Sequence, residues 1–141
     1  MLVLDTDHMT LLEHPGSVDS MRIRHRLDQQ VREPVVTTIV TYEEQTRGWL
    51  AHIAKAKTID HQVICYCKLS RHLDVYRMFC VLDFTTEAAA VFRQLVRARL
   101  GVGTMDLKIA AIALTNDATL LTRNVNDFGR VPGLRFEDWT Q

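Results

Sequence analysis

Leu2-Val3-Leu4 is an unbroken apolar run, the pattern of a strand covered on both faces, and it ends in the polar Asp5-Thr6-Asp7. Asp7 caps a short helix from His8, read as a surface residue, to Glu13, and Pro15-Gly16 breaks it. Ser17 is the next cap, for a helix to about Gln30 with Val18, Met21, Leu27 and Val31 as its apolar positions. The β-branched run from Val35 to Val40 predicts a second buried strand. Thr41 caps the following helix, which runs to about Ala56 and carries Glu44 in the capping-box position. Thr58 opens a longer helix to about Phe79 with a stripe of Ile59, Val63, Tyr66, Cys67, Leu73 and Tyr76. These two helices pair as an antiparallel hairpin over about 41–79.

A third strand is expected at Cys80 to Phe84, then a helix capped by Thr86 with Ala89, Phe92, Leu95 and Val96 inward. Asp106 opens an almost wholly apolar helix, Leu120-Leu121 form a fourth strand, and Leu134 to Phe136 a fifth. Strands alternating with helices predict a three-layer α/β/α sandwich around a mainly parallel sheet, with residues 1–141 as one domain. In that architecture Asp5, Glu44, Asp106, Asn124 and Asp127 all fall at one edge. It is the carboxyl edge, where open α/β sheets hold their ligands.

Composition changes this picture little. Hydrophobic residues at 47% and charged residues at 24% suit an ordinary globular chain, and 141 residues bury roughly two thirds of their unfolded surface. Three cysteines, Cys65, Cys67 and Cys80, lie inside predicted elements and argue against a disulfide framework, so a reducing, cytoplasmic location is expected. No apolar run approaches the ~20 residues of a membrane span. A net charge of zero gives no whole-molecule attraction for nucleic acid, yet arginines and lysines cluster along the helices while the edge is acidic.

Converging carboxylates repel one another unless a cation neutralises them. An oxygen-only donor set selects a hard ion, Mg²⁺ with Mn²⁺ as a substitute, and such an ion polarises a phosphoryl group and lowers the pKa of a bound water. The edge therefore suits metal-dependent phosphodiester hydrolysis. Each acid also has an ordinary use as a helix cap or first-turn acid, and only their shared edge sets them apart. No Gly-rich phosphate turn follows the first strand, which argues against a nucleotide module.

Leu4-Asp5-Thr6-Asp7, Thr41-Tyr42-Glu43-Glu44, Met105-Asp106-Leu107-Lys108-Ile109-Ala110-Ala111 and Leu121-Thr122-Arg123-Asn124 followed by Asp127-Phe128 resemble the motifs of PIN-domain ribonucleases, closely those of the VapC toxins of toxin-antitoxin pairs. The resemblance runs from Leu2 to about Leu134. It implies a Mg²⁺-dependent endoribonuclease that cuts tRNA or rRNA and is silenced by a cognate antitoxin, and it implies a homodimer. Carried over, Asp5 and Asp106 match metal ligands and Glu44 the acid completing the site. Thr6 and Thr122 match small hydroxyl positions beside the acids. Asn124 stands where many members have Asp, and Asp127 is the nearest carboxylate, so either fills the fourth position. Glu44 is preferred over Glu43 because Gly48 then falls where the family has its glycine. Arg123 is the rim base expected to meet phosphate, and the hairpin with Trp49 is the candidate partner surface. The competing reading keeps the PIN-like fold as a non-catalytic RNA- or protein-binding module.

Overall fold

The short strands follow from short apolar runs, and at least one helix separates each from the next. A computed structural model describes residues 1–141. Strands β1 (Leu2–Leu4), β2 (Val35–Thr38), β3 (Cys80–Leu82), β4 (Thr119–Leu121) and β5 (Arg135–Glu137) form one sheet in the order β3-β2-β1-β4-β5. Every pairing is parallel, with Val3 opposite both Val36 and Leu120. Seven helices complete the chain: α1 (Thr6–Glu13), α2 (Val18–Gln29), α3 (Ile39–Lys55), α4 (Ile59–Tyr76), α5 (Thr86–Arg97), α6 (Thr104–Thr115) and α7 (Val125–Phe128).

Alternation along the central strands divides the core in two. Val3, Val36 and Leu120 point to one face, against Ile109 and Ile112 of α6 and Leu95 of α5. Leu2, Leu4 and Leu121 point to the other, against Met9 and Leu12 of α1, Ile23 of α2 and Tyr76 of α4. Three layers result, and α6 is apolar nearly all round because it is buried nearly all round.

Several boundaries and faces differ from the sequence expectation. Asp5, not Asp7, caps α1, accepting from the His8 N–H. Thr38, not Thr41, caps α3, so Ile39 and Val40 are helical and Glu44 lies inside the helix rather than in a capping box. Thr85, not Thr86, caps α5, and Val96 is largely exposed while Ala88 and Leu95 are buried. Along α2, Val18 and Met21 face solvent and Ile23 alone is the fully buried apolar anchor, while Val31 lies beyond the helix end and is exposed. The hairpin is antiparallel, with His52 near Cys65 and Thr46 near His72, but α4 presents Cys65, His72 and Tyr76 inward. The stripe of Ile59, Val63, Tyr66 and Leu73 is exposed instead, because buried hydrogen bonds of His72 and Tyr76 fix the helix rotation.

The α3 cap is a strong local determinant. The fully buried Thr38 hydroxyl accepts from Thr41 N–H at 3.0 Å and donates to the Thr41 hydroxyl at 3.0 Å. Thr38→Val keeps the shape but orphans that amide, and is expected to cost about 1–2 kcal/mol in urea unfolding. An unchanged midpoint would show that the helix is held without its cap.

No helix is long and apolar enough to cross a membrane, and all three cysteines are free thiols.

Candidate active site

Each candidate acid is placed by an element boundary. Asp5 ends β1, where its N–H donates to Leu121 O at 3.1 Å, so its position depends on β4 as well as on its own strand. Its carboxyl is almost fully buried and only Oδ1 is engaged. His8, expected at the surface, is fully buried beneath it: Nδ1 lies 3.3 Å from Asp5 Oδ1, and Nε2 accepts from Trp139 N–H at 3.3 Å. The ring turns inward because α1 begins at Thr6, which puts position 8 on the packed face with Met9 and Leu12.

Glu44 projects from α3 toward α1, where the Thr6 hydroxyl donates to its Oε1 at 3.0 Å. Its pKa is raised, first by burial, against the lowering effect of Thr6, and further by the charges of Asp5, Glu43 and Asp7. Glu43 turns away and pairs with Arg47 at 2.5 Å.

Asp106 lies in the first turn of α6, whose N-cap, Gly103, has no side chain to compete for that helix end. Its carboxyl is pushed up to about 6 by burial and then by the charges of Glu44, Asp5 and Asp127, partly offset by a hydrogen bond from Asn124. Three acids from distant parts of the sequence thus act on a fourth. Asn124 caps α7, and its Nδ2 donates to Asp106 Oδ2 at 3.3 Å and to Asp127 Oδ2 at 3.1 Å. A neutral amide therefore bridges two carboxylates that would otherwise only repel. The buried Thr122 hydroxyl accepts from Asn124 N–H at 3.0 Å and fixes that turn.

Arg123 reaches the rim but is shared between Asp19 at 3.5 Å and Asp7 at 3.8 Å. Asp127 has Arg130 at 3.9 Å, whereas Asp5, Glu44 and Asp106 have no lysine or arginine partner. The all-oxygen donor set and its mutual repulsion fit a hard divalent cation. No three His, Cys, Asp or Glu side chains are arranged to enclose an ion unaided.

Asp7 and His8 were not assigned to the site by the motifs. Asp7 had one available signal, its place two residues after Asp5 at a strand end; the burial of His8 follows from where α1 begins and from its contact with the distant Trp139, and had none.

The class defined by this fold and site is an α/β/α protein with an acidic pocket at the carboxyl edge of a parallel sheet. The chain belongs to the PIN-domain family, whose description, PIN domain, matches residues 2–134. Among its relatives, Ribonuclease VapC1 of Rickettsia felis is 29% identical over 137 residues, covering 94% of this chain and 92% of that protein. The tRNA(fMet)-specific endonuclease VapC of Salmonella typhimurium is 38% identical over 63 residues, 42% of this chain and 48% of that protein. The fold is that of VapBC-1 from nontypeable Haemophilus influenzae, with a TM-score of 0.77 at 22% identity over 99% of this chain and 98% of that one. DNA-bound VapBC from Salmonella typhimurium gives 0.73 at 25% identity over 98% and 97%.

Proposed function

We propose that this protein is a divalent-metal-dependent endoribonuclease, the toxin of a toxin-antitoxin pair, acting in the cytoplasm on tRNA or rRNA under the control of a cognate antitoxin. The observation that carries the reading is the convergence of acids at one sheet edge: Asp5 ends β1, Glu44 reaches Thr6 beside it, and Asn124 Nδ2 bridges Asp106 and Asp127, so that, after burial, the charges of Glu44, Asp5 and Asp127 raise the pKa of Asp106. Carboxylates held this close at the ligand edge of a sheet are costly without a positive partner. The names of the relatives support RNA as the substrate, and the Salmonella relative supports tRNA.

In this reading Asp5 and Asp106 hold the ion, Mg²⁺ or Mn²⁺. Bound there, it would polarise the scissile phosphate and lower the pKa of the attacking water. Glu44, with one oxygen fixed by the Thr6 hydroxyl, keeps the other free to orient that water. Asp127 extends the negative surface. Asn124 and Thr122 hold Asp127 and Asp106 in mutual register, so they position acids without being ligands. Arg123 stands where a phosphate of the strand would displace its loose contacts with Asp7 and Asp19. The exposed α4 stripe with Ile59, Val63, Tyr66 and Leu73 is the apolar face offered to the antitoxin or to a second copy.

Purified protein incubated with total bacterial RNA is expected to make discrete cuts in Mg²⁺ or Mn²⁺, read as new 5′ ends by sequencing, and none in EDTA. Cuts that persist unchanged in chelator would remove the metal from the mechanism. An absence of cuts under every condition would favour a binding protein.

A further inference from the structure

A groove of about 410 Å³ leads away from the acid cluster between α1 and α3, and beyond Thr6 and Glu44 it is lined by residues that the cleavage chemistry does not use. Thr6 and Glu44 form its inner end, and Trp49, His14 and Lys68 its outer part. Along α3 the distance from Glu44 to His52 is about 12 Å at 1.5 Å per residue. The volume falls in the range of a small-ligand site, and a single nucleotide is a ligand of that size.

The lining is chemically mixed in a way that suits one ligand class. The His14 and Trp49 rings lie nearly parallel, with centroids 6.0 Å apart and planes at 19°, and His52 stands 5.8 Å from the same indole. They make an aromatic platform at the side of the groove. Lys68 is exposed and has no ion-pair partner, so one free ammonium stands at the end opposite Glu44. The floor is Gly48, where an added Cβ would meet nothing within 4 Å. Several of the groove's other polar groups are already engaged: Gln45 binds Thr10 and Tyr76, Glu13 binds His72, and His14 Nδ1 lies 2.9 Å from Thr10 O. The inner part of the groove, around Gln45 and Glu13, leaves little for hydrogen-bond readout. A flat ring with an attached phosphate matches what remains, because any base can stack on an aromatic face and an ammonium can hold a phosphate as a point charge.

We propose that this groove is a nucleobase subsite, in which the nucleotide next to the scissile phosphate stacks on Trp49 while Lys68 holds a flanking phosphate. The inference rests on the ribonuclease reading above and adds to it the site that seats unpaired RNA. The stack is indifferent to base identity, so the subsite selects single-stranded over paired substrate, in which the bases are already stacked on one another.

The test uses two probes, octauridylate and an abasic ribose-phosphate octamer, bound to full-length protein carrying Asp5→Asn so that the RNA stays intact. Trp49→Ala is expected to weaken octauridylate binding about tenfold, the scale of one base on an aromatic ring, and to leave the abasic octamer unchanged. Trp49→Phe should retain most of the affinity. Gly48→Leu should reproduce the loss by filling the floor; it puts a better helix former inside α3, so the fold is kept. In cleavage assays with Mg²⁺ on the otherwise native protein, the same substitutions should raise KM far more than they lower kcat. Equal loss on both probes, or no loss on either, overturns the subsite, and the second result would leave the groove to a protein partner. Wild-type protein that neither cuts RNA nor binds either probe overturns the ribonuclease reading and the subsite with it. A wild type that cuts, beside variants that bind octauridylate as well as their parent, overturns the subsite alone.

Discussion

Asp106→Asn is expected to reduce RNA cleavage by roughly 10²-fold or more while making the metal-free protein more stable at neutral pH. The loss of activity follows from removing one ligand of the proposed ion, which supplies several kcal/mol of charge stabilisation, at 1.36 kcal/mol per tenfold in rate. The gain in stability follows from the titration of Asp106, whose carboxyl has an ordinary value of 3.8 and is pushed up to about 6 in the folded chain. Below the ordinary value both folded and unfolded states hold the proton, and the group makes no difference. Between the two values the unfolded chain releases it while the folded one keeps it, so stability falls as pH rises through this window. Above about 6 both states are ionised and the penalty is complete. The gap corresponds to at most about 3 kcal/mol, and water around a half-buried carboxyl screens it to about 1–2 kcal/mol. Urea titrations in EDTA should therefore show the variant ahead of the wild type at pH 7.5, with the two converging near pH 4. A variant no more stable than its parent at pH 7.5 would mean that neither burial nor the neighbouring acids disfavour the ionised carboxyl. Because an ion binds the ionised carboxyl, its affinity is also expected to fall below about pH 6.

His72→Ala is expected to destabilise the protein by about 2–4 kcal/mol, from the cavity left by a buried ring and from a buried Glu13 oxygen left without its hydrogen-bond partner. His72 and Glu13 are both almost fully buried, with Nδ1 2.6 Å from Glu13 Oε1, and the other ring nitrogen is 3.0 Å from the Thr46 hydroxyl. One ring thus ties α4 to α1 and α3, and Tyr42 stacks on it with centroids 5.4 Å apart. Replacing both partners, as in Glu13→Leu with His72→Leu, should recover most of the loss, since an apolar pair leaves only the part-buried Thr46 hydroxyl without its partner. A small loss from His72→Ala, with an unchanged urea slope, would show that water reaches Glu13.

The architecture was legible because its strands are short apolar runs and its ligand edge follows from chain alternation. Leu2-Val3-Leu4 and the apolar helix after Asp106 could be little else. Convergence of Asp5, Glu44 and Asp106 was readable for the same reason, since a parallel sheet carries every strand end to one edge. Boundaries were less legible where β-branched residues continue from strand into helix, as at Thr38 to Thr41. There the choice of cap is made by burial of the Thr38 hydroxyl. Faces were misread where a polar residue is the buried one. In α4 the apolar stripe argued for one rotation, and the pairing of His72 with Glu13, remote in sequence, imposes another. Asn124 posed a question of its own, because its type suggests a substituted ligand, whereas its amide joins Asp106 to Asp127.

The strand order β3-β2-β1-β4-β5 also sets a schedule for synthesis. The first strand made is the middle one of the finished sheet, and one of its two neighbours is residues 119–121. Until those residues leave the ribosome, Asp5 lacks the Leu121 carbonyl that anchors its backbone, and Asn124 and Asp127 do not yet exist. At about 5–20 residues per second, Glu44 precedes Asp127 by about 4–17 s. Throughout that interval the nascent chain carries the first acids of a nuclease without being one. The cell that makes this protein meets its acid cluster only after residues 119–127 have followed the first half of the chain out of the ribosome.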